Sequence, residues 1–76
     1  MDFEMKIEVF KTNINDPGHA DVVIDSLKQL WPNWKINVDL NDCDNILRIE
    51  AGENINTTLV SDHLSGIGYF AELLLK

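Results

Sequence analysis

Seventy-six residues make one domain with one modest core, so positions 1–76 are read as a single unit. Thirteen acids stand against six bases, only one of them arginine, for a net charge of −7. That balance excludes nucleic acid and anionic membrane surfaces as expected partners, because both are held by clusters of Lys and Arg.

The first predicted element is a strand. Phe3, Met5, Ile7 and Val9 alternate with Glu4, Lys6, Glu8 and Phe10, a period of two that marks a half-buried strand. The loop Asn13-Ile14-Asn15-Asp16-Pro17-Gly18-His19 follows. Asp16 is a good helix N-cap, and Pro17 suits the first helical position, where a missing N–H costs nothing. Ala20, Val23, Ile24, Leu27, Leu30 and Trp31 then recur at helical spacing, and Pro32 ends the helix.

Trp34, Ile36, Val38 and Leu40 form a second alternation, and Leu47, Ile49 and Ala51 a third. Asn41-Asp42-Cys43-Asp44 between them is turn chemistry, so the pair reads as a hairpin. A second helix is predicted after Asn54 or Asn56, with Ile55, Leu59, Val60, His63, Leu64 and Ile67 on its apolar side and Gly66 and Gly68 at its end. Tyr69 to Leu75 is short and apolar and is read as a last strand. The order strand-helix-strand-strand-helix-strand predicts an α+β, ferredoxin-like βαββαβ sandwich: four antiparallel strands with two helices on one face. This winding places the end of the first strand, the hairpin turn and the Gly66–Gly68 loop at one end of the domain.

On these residues the chain resembles the heavy-metal-associated domain of copper chaperones and metal-transporting ATPases. In that family a Gly-Met-x-Cys-x-x-Cys loop opens the first helix, with apolar residues four, eight and eleven positions after the second cysteine. Val23, Leu27 and Leu30 stand at those distances from His19. The family's second-strand Val-Asp-Leu is matched by Val38-Asp39-Leu40, and its late Gly-Tyr by Gly68-Tyr69, with Leu64 and Val60 behind it. The resemblance implies the same sandwich. It does not imply copper transfer, since this register puts Asp16 and His19 where the two cysteines stand, Ile14 in place of the methionine and Asn13 in place of the glycine. A Cu(I) transfer site needs two soft ligands, and neither is present.

Two readings of the loop stay open. In one, Asp16 caps the helix and His19 is solvated. In the other, Asp16 and His19, with Cys43 as third ligand and Asp42 or Asp44 nearby, hold a borderline divalent ion such as Zn, Cu(II) or Ni. His63 reads as a boundary residue hydrogen-bonded locally. Trp31, Trp34 and Phe3 read as core. Phe10, Ile46, Phe70 and Leu74 fall on the strand phase expected to face away from the helices, among Glu4, Lys6, Glu8, Arg48 and Glu50. They form a candidate surface for a protein partner or for a second copy of the chain.

No enzyme is expected. Acylphosphatases share the element order, but their first loop carries a phosphate-holding arginine, and Arg48 is the only arginine here. There is no phosphate-cradling glycine pattern and no triad-like set. Cys43 is the single cysteine, so no internal disulfide can form. Residues Met1-Asp2-Phe3-Glu4 lack the pattern of a signal peptide, and no apolar run approaches the length of a membrane span, so a cytoplasmic location is the expectation.

Overall fold

The computed structural model describes residues 5–74. Its elements are β1 (Lys6–Thr12), α1 (Pro17–Leu30), β2 (Lys35–Asp39), β3 (Ile46–Ala51), α2 (Thr57–Gly66) and β4 (Ala71–Leu73). The strands form one antiparallel sheet in the order β2-β3-β1-β4. The predicted α+β, ferredoxin-like arrangement is the observed one. The expected core role of Phe3, the place of Glu4 on the outer face, and the end of the last strand at Leu75 lie outside the described residues. No helix among the described residues is long and apolar enough to cross a membrane.

Each helix is delimited by its own sequence. The Asp16 carboxylate accepts the Gly18 N–H at 2.7 Å, Pro17 opens α1, and the Trp31 N–H closes it on the Leu27 carbonyl. Of the two asparagines proposed to cap α2, Asn56 does so, accepting the Leu59 N–H at 3.1 Å. At the far end the Tyr69 N–H bonds the Leu64 carbonyl and the Gly68 N–H that of Ser65, with Gly68 at φ +92°. That pair of bonds is a Schellman cap, and the positive φ explains the glycine.

The core lies between the sheet and the helices. Ala20, Val23 and Leu27 of α1 and Val60 and Leu64 of α2 pack with Phe10, Ile36, Leu47, Ile49 and Ala51 of the strands. Trp34 is buried in the same cluster, and Trp31 is half-buried against it. Directly paired residues of antiparallel strands share a face. Phe10 pairs with Leu47 and Leu73, Glu8 with Ile49, and Thr12 with Ala71, so this phase of β1 faces the helices.

The phase expected for β1 is therefore inverted. Phe10, expected on the outer face, has no exposed surface, while Met5 is 48% exposed. Lys6 and Glu8 share Phe10's face, and Ile7 and Val9 lie opposite. The reason is where the bulk falls. Val9 and Phe10 are both apolar, so alternation alone does not choose a phase there. Phe10, the largest side chain of the strand, is fully buried, as is Ile14 beyond it, while the smaller Ile7 and Val9 are half-buried on the opposite face. Glu8 stays half-buried and Lys6 exposed at the other end of the strand.

Candidate functional site

The predicted clustering of loops at one end of the sandwich is observed. The Thr12 N–H bonds the Asp44 carbonyl at 3.2 Å, and the buried Thr12 hydroxyl donates to the Asn45 carbonyl while accepting the Ile14 N–H. The Phe70 N–H donates to Asn13 Oδ1 at 2.9 Å, and the rings of His19 and Tyr69 meet edge-on at 5.7 Å. Lys11 Nζ approaches Asp44 at 3.8 Å.

The three proposed ligands are not gathered into one cluster. Asp16 is occupied as a cap, and a Cβ at residue 18 would stand only 3.0 Å from its Oδ1, so Gly18 allows the cap to close. His19 is exposed beside Tyr69. Cys43 instead groups with its neighbours: ligand atoms of Asp42, Cys43 and Asp44 all lie within 4.8 Å of one another. Part of that grouping is turn architecture. Asp42 Oδ1 accepts the Asp44 N–H at 2.8 Å, the Asn45 N–H bonds the Asp42 carbonyl, and Asn45 adopts φ +50°, a conformation asparagine tolerates. His63 is half-buried, and its hydrogen bond is not local in sequence: Nε2 meets the hydroxyl of Ser26 on the other helix.

The second candidate is the sheet face turned away from the helices. Strand pairing puts Ile7, Val9 and Lys11 of β1 beside Glu50, Arg48 and Ile46 of β3, and these in turn beside Lys35, Asn37 and Asp39 of β2. Glu72 completes the row through Lys11, and Phe70 and Leu74, flanking β4, share its phase. Of the four residues expected here, Ile46, Phe70 and Leu74 lie on this face and Phe10 does not. Ile7 and Val9 take its place, and reasoning from alternation missed them because it fixed the wrong phase.

The result is an apolar band of Ile7, Val9, Ile46 and Leu74, all half-buried, with Phe70 52% exposed at its end. The band is bordered by Lys11, Lys35 and Arg48 on one sign and Asp39, Glu50 and Glu72 on the other. This face is electrically balanced although the chain carries −7. The surplus of acids sits in the helices, loops and ends. Comparison with family models, curated proteins and solved structures finds no match to this chain.

Proposed function

We propose that this chain is a small non-enzymatic interaction module, built on a frame like that of the heavy-metal-associated domain, and that it works through the outer face of its sheet. The carrying observation is the band of Ile7, Val9, Ile46, Leu74 and Phe70, which neither helix covers. The even charge around it favours a second copy as partner. Two chains of net charge −7 repel through most of their surfaces. Two copies of a face carrying three charges of each sign do not, and apolar side chains at its centre gain by burial.

Size sets the strength. Strands about 4.8 Å apart and about 3.3 Å per residue give a face of roughly 400 Å². That is about half the area per partner of a standard interface, so association is weak and concentration-dependent. Sedimentation equilibrium across a range of concentrations tests it. The wild type shifts from monomer toward dimer as concentration rises, and Phe70→Asp, which places a charge at an exposed position, stays monomeric. Monomer for both at millimolar chain removes the self-association.

A second reading is favoured by one observation, the closeness of Cys43 to Asp42 and Asp44. A thiolate and two carboxylates suit a borderline divalent ion such as Zn. In this reading Cys43 is the anchor and Asp42 and Asp44 supply the carboxylates, without Asp16, which caps α1, or His19, which stands beside Tyr69. Titration with Zn(II), followed by the amide signals of residues 41–45 and 13–21, separates the two. Saturable shifts lost in Cys43→Ser support the ion, and unchanged spectra leave the sheet face alone.

A further inference from the structure

The two edges of the sheet differ. β4 is three residues long, and its Ala71 carbonyl accepts the Ser61 hydroxyl at 3.1 Å. β2, at the other edge, is five residues long and open. Its bonding follows from the registers. The Leu74 N–H bonds the Val9 carbonyl, so the backbone groups of Val9 point to β4 and those of Phe10 to β3. In antiparallel strands this alternation carries across the sheet. Asn37 therefore bonds Arg48, while the N–H and C=O of Ile36 and Val38 point away from β3. Among the described residues nothing bonds those outward groups. An open edge of this kind is a template for another strand.

The strand that fits this edge is a copy of itself. Lys35, Asn37 and Asp39 lie on the outer face, and Ile36 and Val38 on the covered face. Turned antiparallel about Asn37, a second β2 sets Lys35 opposite Asp39 and Ile36 opposite Val38, alike at both ends. Unlike charges meet and apolar side chains meet. A slip of one residue would set outer-face residues against covered ones, and a slip of two would part Lys35 from Asp39. Asp39 is already positioned, its Oδ1 accepting the Asn41 N–H at 3.0 Å. The apolar groove between the helices, walled by Leu30, Trp31 and Leu59, has no comparable match of charge.

We propose, resting on association through the sheet's outer face, that β2 pairs with β2 of a further copy in this register and so joins face-paired dimers into a tetramer. One edge contact adds about four hydrogen bonds and little apolar area, too little to hold two free monomers together. Face-paired dimers meet through two edges at once. The edge axis is normal to the sheet at Asn37, and the face axis lies in the plane of the interface. Asn37, Arg48 and Val9 stand in one row across the sheet, so a face axis along that row meets the edge axis and closes the assembly. Val9 then packs on its own counterpart, and Arg48 keeps Glu50 as its partner at 3.9 Å. The second edge forms with no further loss of free motion.

The test combines sedimentation with amide hydrogen exchange on the full chain, from dilute to millimolar concentration. The wild type is expected to pass beyond dimer to tetramer, with exchange at the Ile36 and Val38 amides slowing at least about fivefold as it does. Phe70→Asp is expected to stay monomeric, with those amides exchanging as in dilute wild type. Lys35→Asp sets like charges opposite each other and is expected to raise the concentration needed for tetramer at least about tenfold. Adding Asp39→Lys to it restores the match with its sign reversed, and the wild-type value with it. A wild type that stops at dimer, with Ile36 and Val38 exchanging as in dilute solution, overturns the edge pairing and leaves the face contact standing. Monomer at every concentration overturns both. A tetramer indifferent to Lys35→Asp, or not restored by the double variant, overturns the edge pairing as well.

Discussion

The two faces of the sheet are made from the same four strands and meet different fates. One face presents Phe10, Leu47, Ile49, Ala51 and Ile36 to the helices and is dry. The other presents Ile7, Val9 and Ile46 among six charged side chains and stays open. β1 carries one apolar residue, Phe10, on its covered side and two, Ile7 and Val9, on its open side, so hydrophobic count does not decide which side is core. Position under the helices and side-chain volume decide it. A strand in this situation has a spare apolar face, and in this protein that face also has its charges matched.

The sharpest way to break this contrast is to truncate neighbours on β1. Phe10→Ala empties a site with no exposed surface and is expected to cost about 3–5 kcal/mol. A domain of this length has only roughly 4–11 kcal/mol in total, so the variant should lose a large share of its stability. Val9→Ala, one residue away on the open face, should cost about 1 kcal/mol or less. Urea denaturation of the pair measures both, and equal losses would mean that the strand has no preferred phase.

A smaller effect sharpens the comparison at the end of the same strand. Thr12 is the one buried polar residue among those described, and its hydroxyl serves both Asn45 and Ile14. Thr12→Val keeps the shape and strands both backbone partners, an expected loss of about 1–3 kcal/mol in the same assay. The smallest effect is expected at Gly68, where an added Cβ meets nothing within 4 Å but φ is +92°. Gly68→Ala should therefore cost about 1 kcal/mol through backbone conformation alone, read as a modest fall in melting temperature.

Much of the architecture was legible because independent signals agreed. Asp16-Pro17, Asn56 and Gly68 mark helix ends by chemistry, and Ile36-Val38 with Leu47-Ile49 mark a hairpin by period. The phase of β1 was not legible, because the alternation of residues 5–9 favours the side of Ile7 and Val9, whereas the buried side is the one that carries Phe10 and Thr12. The meeting of loops at one end followed from the winding, but ligand distances did not. Whether Cys43 lies with Asp16 and His19 or with Asp42 and Asp44 depends on the turn, where side chain and backbone bond locally. The interhelical groove left no sequence signal of its own, since Leu30 and Leu59 fit the apolar periodicity of a core and differ from it only in exposure.

The proposed use of the open face is tested most directly by isotope-filtered NOE spectroscopy on a mixture of labelled and unlabelled chain at millimolar concentration. Contacts between copies are expected from the methyl groups of Ile7, Val9, Ile46 and Leu74 and from the ring of Phe70, and none from Leu30 or Leu59. Cross-peaks from the helical groove instead, or no intermolecular cross-peaks at all, would contradict it.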